Sequence, residues 1–172
     1  MKTWIAASLI ATASIAAAQG HANPVPEEMK SLEFLVGTWN GKQNFNNPGS
    51  PLIGKLSVTV HAFGNGRFLE EVSHTTLPGK PPTEVHHFIS YNPQTKSYHA
   101  WWFNDTSNTP MELEGTLENG PLVLQSHPAN PNAPVLRATY EKASGSAVNY
   151  KLEMKSGDTW QELFHNNIAK AP

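Results

Sequence analysis

From Thr38 onward the chain alternates apolar and polar residues with a period of two, and a turn signal separates each run from the next. Leu56, Val58, Val60 and Ala62 alternate with Lys55, Ser57, Thr59 and His61, the pattern of a half-buried strand. Met111, Leu113, Gly115 and Leu117 alternate in the same way with Glu112, Glu114, Thr116 and Glu118. Followed to the end, this pattern predicts about ten strands, over 38–44, 55–62, 67–76, 83–91, 97–104, 111–118, 121–127, 135–142, 148–156 and 159–169. Ahead of them, Glu27 to Val36 reads as one short helix, with Met29, Leu32, Phe34 and Leu35 apolar and Gly37 as its stop. Asn65-Gly66 and Asn119-Gly120 signal tight hairpins, because both central residues of such a turn take positive φ. Short connections favour antiparallel neighbours. The expected fold class is all-β, an up-and-down antiparallel meander with a short N-terminal helix. Closing the meander into a barrel removes its exposed edges, but a two-sheet sandwich has the same periodicity.

Residues 1–22 stand outside this pattern. Lys2 is their lone charge, Trp4 to Ala18 is an apolar run, and Ala16-Ala17-Ala18 ends it with small residues. That order is a secretory signal peptide, with cleavage after Ala18 or after Ala22. The run is shorter than the roughly 20 residues of a membrane span, which counts against an N-terminal anchor. The expected organisation is a cleaved leader over 1–22 and one β-barrel domain over 23–172, in the periplasm or outside the cell. Cleavage after Ala22 leaves a domain that buries roughly 70% of its unfolded surface.

Composition narrows the function further. The net charge is −2, and −3 once Lys2 leaves with the leader, so nothing neutralises a run of phosphates and no nucleic-acid partner is expected. The chain has no Cys, which excludes disulfides, thiolate metal sites, a cysteine nucleophile and a lipidated bacterial N-terminus. Charged residues make up 15% and hydrophobic ones 38%, enough apolar content for a folded core.

Several segments carry a family resemblance. Leu35-Val36-Gly37-Thr38-Trp39-Asn40-Gly41 looks like the Gly-x-Trp entry of calycin-type barrels. Gly66-Arg67-Phe68-Leu69, the hairpin from Ser90 to Tyr98, Trp102, the run Met111 to Thr116 and Arg137 fall in the order of one family. The chain resembles the domain-of-unknown-function 1579 family, small, often secreted, bacterial lipocalin-like proteins, over roughly Leu32 to Ile168. Asn92 stands for that family's usual Asp and Ser90 for a usual Gly, both conservative in a turn. The resemblance implies an antiparallel barrel and assigns no reaction. It also implies that Trp39 closes one end of the barrel, with Arg137 a candidate cation–π partner over its ring, a packing anchor or a ligand contact.

The hairpin between Thr83 and Asn104 holds the densest chemistry. Pairing Tyr91 with Tyr98 sets His87 opposite Trp102, His86 opposite Phe103 and Ser90 opposite His99. One face then carries Val85, His87, Ile89, Tyr91, Tyr98, Ala100 and Trp102. Its mix of large and small side chains suits a tapering interior. The other face carries His86, Phe88, Ser90, His99, Trp101 and Phe103, and calls for a cover: the N-terminal segment, a loop or a partner, a homodimer included. The expected ligand-binding residues are His87, Ile89, Tyr91, Tyr98, Trp102 and Arg137.

No metal, cofactor or catalytic residue is expected. His86 and His87 point to opposite faces of one strand, which makes a poor chelator. His86 shares a face with His99, with His74 and His165 the nearest additions, but no metal-ligand spacing such as His-Glu-x-x-His occurs. The nitrobindins, lipocalin-like barrels, bind haem through one His near the C-terminus. His165 is the residue at a comparable place, although Glu-Leu-Phe-His-Asn-Asn departs from that family's site. There is no Gly-x-Ser-x-Gly elbow, and Glu70 and Glu71 alternate, so only one of them faces a cavity. The expected function is binding of a small, mostly apolar molecule by sequestration in the barrel. The rival is a structural or interaction barrel filled by its own side chains; a haem, metal or enzymatic barrel comes third. N-terminal sequencing of the exported protein should begin at Gln19 or Asn23, and a sequence beginning at Met1 would refute leader removal.

Overall fold

The computed structural model describes residues 24–47, 49–105, 107–128 and 130–172. The leader lies outside them. Ten antiparallel strands follow the alternating segments: β1 Gly37–Phe45, β2 Leu52–Phe63, β3 Phe68–Thr76, β4 Thr83–Asn92, β5 Ser97–Asn104, β6 Met111–Leu117, β7 Leu122–Ser126, β8 Leu136–Lys142, β9 Ala147–Ser156 and β10 Thr159–Lys170. Each strand pairs with the next, and β1 pairs with β10 from Trp39↔Lys170 to Phe45↔Phe164, so the sheet is a closed barrel. A sandwich is excluded. The β4–β5 ladder runs through Tyr91↔Tyr98, His87↔Trp102 and His86↔Phe103, the register read from the two tyrosines.

The short N-terminal helix is present. It is a single α turn, α1 Glu27–Lys30, followed by a 3₁₀ turn over Glu33–Leu35. The physical reason is its load: Met29, Leu32 and Leu35 are all buried, and the kink lets three closely spaced apolar side chains reach the mouth of the barrel. Barrel residues pin this plug in place. The Trp39 indole N–H donates to the Leu35 carbonyl at 2.8 Å, and the Tyr98 hydroxyl donates to the Glu28 carbonyl at 2.8 Å.

An eight-stranded barrel has an interior just wide enough for side chains to fill, so ten strands leave room to spare. The two halves treat that room differently. At the plugged end Leu32, Leu69, Ile89, Tyr98, Leu122 and Leu124 pack into a continuous core with Trp39. The turns there are short, spanning 64–67, 93–96, 118–121 and 143–146. At the other end the loops 46–51, 77–82, 105–110 and 127–135 are longer, and the interior stays open.

The Asn119-Gly120 hairpin is tight, with φ of 56° and 127° and a Glu118 N–H to Pro121 carbonyl bond of 2.8 Å. The turn at Asn65-Gly66 is wider than expected. Phe63 pairs with Phe68, leaving four residues in the turn, and Gly64 joins Asn65 and Gly66 at positive φ. Gly66 has φ of 85°, a conformation that a β-branched side chain disfavours. Gly66→Val should therefore cost about 1–3 kcal/mol, read as a lowered denaturation midpoint; an unchanged midpoint would contradict this backbone assignment.

Candidate functional site

The open half of the barrel holds a cavity of about 320 Å³. Strand alternation decides what faces it. Odd positions of β1, β3 and β4 and even positions of β2, β5, β9 and β10 point inward. Toward the mouth lie Phe45, Thr83, Val85, Asn104 and Phe164, with Leu77 from the β3–β4 loop and Asp105 beyond β5, while Leu56 stands level with Thr75. Deeper in, the lining turns polar: Gln43, Glu71, Thr75, His87, Trp102, Tyr150 and Asn166. Thr75 donates its hydroxyl to the Gln43 side-chain oxygen at 2.7 Å, closing one wall.

Glu71, His87 and Tyr140 form a hydrogen-bonded knot at the base. His87 Nδ1 lies 2.7 Å from the Tyr140 hydroxyl oxygen and 3.3 Å from Glu71 Oε1. All three residues are buried. The Glu71 carboxylate lies near enough to the Tyr140 hydroxyl to help raise its pKa. A lone pair on Nδ1 would face the Glu71 carboxylate, which is repulsive. The Glu71 contact favours the Nδ1–H tautomer of His87, and Nε2 is the nitrogen without a partner.

Four buried polar atoms around the cavity have no partner: His87 Nε2, the Trp102 indole nitrogen, the Tyr150 hydroxyl and Asn166 Oδ1. Their residues come from β4, β5, β9 and β10 and all line the cavity. His87 packs edge-on to Trp102 with centroids 4.9 Å apart, and Tyr150 packs edge-on to Tyr140 at 4.7 Å. Each unmet group costs about 1–3 kcal/mol when buried, so such a cluster invites a polar group from a ligand.

The expected binding residues divide among three places. His87 and Trp102 lie on the cavity. Ile89, Tyr91 and Tyr98 share their face but sit at the plugged end, with Tyr91 and Tyr98 rings 5.1 Å apart, away from the cavity. Arg137 lies away from the cavity, as a packing anchor on the outer face. It alternates with the buried Leu136 and Ala138, so it points outward, where it pairs with Glu153 at 2.8 Å and lies 4.2 Å over Trp160. Burial alone would raise the Glu153 carboxyl, but bonds from Arg137 and Lys151 outweigh it and hold the pKa below its ordinary value. The cation near Trp39 is Lys170, at 5.8 Å from the ring centroid.

The other histidines face outward. His165 lies between the inward Phe164 and Asn166 and bonds Glu162 at 2.7 Å, so it does not reach the interior as a haem ligand would have to. His61, Glu70, His86, Glu84 and His74 form an alternating ladder across β2, β3 and β4, with links of 3.0–3.3 Å. The bond to Glu84 is the main reason the His86 pKa is raised. His99 stands apart from them beside Glu114, and among the described residues no group of three or more such side chains is placed to hold a metal ion. Phe103 and Phe63 are exposed on the same outer surface, because the described N-terminal residues plug the barrel end instead of covering that face.

Sequence reading left open which of Glu70 and Glu71 turns inward, and it missed Tyr140, Tyr150 and Asn166. The signal for Glu71 lay in its strand: it shares a face with Leu69, whose burial at the plugged end fixes which of the two glutamates turns inward. The other three lie on β8, β9 and β10, and only barrel closure brings those strands opposite β4.

The family model for "Protein of unknown function (DUF1579)" matches residues 25–169. The chain belongs to this family. No curated protein sequence matches it. Among solved structures, a DUF1579 chain of this fold is similar to Rv2717c from M. tuberculosis, with a TM-score of 0.63 and 15% sequence identity. That alignment covers 87% of this chain and all of the other, and at this identity it shows a shared fold. Among the described residues no helix is long and apolar enough to cross a membrane.

Burial raises the pKa of Tyr140 and Tyr150 well above the ordinary 10.0, with the Glu71 carboxylate adding to it, and burial pushes Tyr98 up to about 12. Tyr91 is raised as well, first by desolvation and then by its bond to Glu28. A phenol whose folded-state pKa exceeds its unfolded one contributes stability that is present below the unfolded value and lost as pH rises through the folded one. An alkaline titration should therefore show all 4 tyrosines ionising above pH 10.0, with stability falling from there upward. Half of the full tyrosinate absorbance at pH 10.0 in folded protein would contradict it.

Proposed function

We propose that this protein is exported and binds a small, mostly apolar molecule in the open half of its barrel, holding it by sequestration. One observation carries the reading: an open cavity exposes Phe45, Val85 and Phe164, and four of its described lining residues hold a buried polar atom with no partner. A barrel that only filled itself has no reason to bury unmet hydrogen-bonding groups beside an open volume. The cavity volume lies at the lower end of the range for small-molecule sites, suited to a compact ligand with one polar end. The apolar body would lie against Phe45, Leu56, Val85 and Phe164, and the polar end would meet the base.

Native mass spectrometry of the protein from its own host tests this. Wild-type protein and the outer-face variant Trp101→Ala should carry an added mass. Val85→Trp, which fills the mouth, should lose it while keeping its circular dichroism. Wild-type protein that carries no added mass and takes up no small aromatic or aliphatic probe would overturn the proposal.

A further inference from the structure

Among the described residues the buried carboxylates are Glu71 and Glu153, and the barrel treats them in opposite ways. Glu153, on the outer wall, is held by two permanent cations, Arg137 at 2.8 Å and Lys151 at 3.1 Å. Glu71, on the inner wall, has none among the described residues. Its neighbours are the His87 ring at 3.3 Å and the Tyr140 phenol, hydrogen-bonding groups without a fixed charge. A buried carboxylate is ordinarily paired, because taking the charge out of water is costly.

The space beside Glu71 is the cavity. Glu71 lines it and keeps 11% of its side chain exposed. No Lys or Arg stands among the described lining residues, and Lys80 on the 77–82 loop is exposed outside them. The second charge of the lining is again negative: Asp105 at the mouth, whose carboxylate accepts the Glu84 backbone N–H at 3.3 Å. A cleft lined by one sign of charge within low-dielectric walls concentrates its field on whatever enters. The lining also carries an unbroken chain of rings. Phe45 meets Phe164 at 5.4 Å, Phe164 meets Tyr150 at 5.8 Å, Tyr150 meets His87 at 6.3 Å and His87 meets Trp102 at 4.9 Å. Aromatic faces attract a cation and so replace part of the water it leaves behind.

We infer that the cavity takes an organic ammonium ion: the ligand brings the counter-ion that Glu71 lacks, and its hydrocarbon body lies along the aromatic chain. This step rests on the binding reading above and names the charge of that ligand. An anion would meet Glu71 with nothing to compensate it, and a neutral molecule of the same shape would leave the carboxylate as it was. Glu71 lies deep, where salt screens little, while Asp105 stands at the wet rim, so Glu71 supplies the larger share of the preference.

Three probes with one phenylbutyl body, ending in an ammonium, a hydroxyl or a carboxylate, test this by calorimetry on the mature protein at neutral pH. The ammonium should bind about tenfold or more tightly than the carboxylate, with the alcohol between them. Glu71→Gln keeps the shape and removes the charge, so the ammonium-over-carboxylate ratio should fall at least about fivefold in folded variant protein. Asp105→Asn should lower the ratio less, and only at low salt. Glu70→Gln, which removes the neighbouring charge on the outer face, should leave it unchanged. Alcohol or carboxylate binding as tightly as the ammonium, or an unchanged ratio in Glu71→Gln, overturns the inference. If Glu71→Gln does not fold, an unchanged ratio in Asp105→Asn at low salt overturns it instead. Failure of all three probes does so too. If the protein from its host still carries an added mass, only the ammonium assignment falls; if it carries none, the binding reading falls with it.

Discussion

A carboxylate inside a β-barrel is costly to bury, and the arrangement around Glu71 is governed by that cost. Its neighbours are chosen to offer protons: Tyr140 from β8 and His87 from β4. Those two strands are far apart in sequence and stand across the barrel, so the knot also ties opposite walls together. Meeting the carboxylate uses up the near side of the imidazole and leaves its far nitrogen buried without a partner. The chemistry of the cavity is thus a by-product of how one charge is accommodated.

The division of the barrel into a filled half and an open half follows from the width of ten strands. The plug from the N-terminal segment fills one end with Met29, Leu32 and Leu35, and it is held by hydrogen bonds from Trp39 and Tyr98. Among the described residues no equivalent segment enters from the other end, where every connection but the β9–β10 turn is longer and the inward residues are a mixture of aliphatic, aromatic and polar side chains. The Glu71 knot marks the boundary between the two.

Much of the architecture was legible because alternation is a local signal. The ten strands and the β4–β5 register follow from residue spacing and the Tyr91–Tyr98 pair alone. The break between α1 and the 3₁₀ turn was not legible, since it depends on the cavity the plug must fill. The site was half legible for the same reason. His87 and Trp102 face each other across one hairpin, but their partners Tyr140, Tyr150 and Asn166 arrive by way of closure, which no short window contains. Which role Arg137 takes was not legible because its pairing with Glu153 and its stacking on Trp160 are contacts across neighbouring strands on the outside.

The pairing of β1 with β10 has a consequence for how this chain acquires its shape. The first strand finds its second neighbour only in β10, the last of the ten strands to be synthesised, so until β10 is available the sheet has two open edges. Contacts of such sequence separation slow folding, since the loop-closure entropy is lost before the pairing rewards it. A nascent chain holding β1 to β9 can build hairpins yet cannot seal the barrel. Asn166 on β10 and Gln43 on β1 are the last pieces to meet, and with them the wall of the cavity. The pocket therefore comes into being in the final step, and a chain ending short of β10 would have neither a closed sheet nor a binding site.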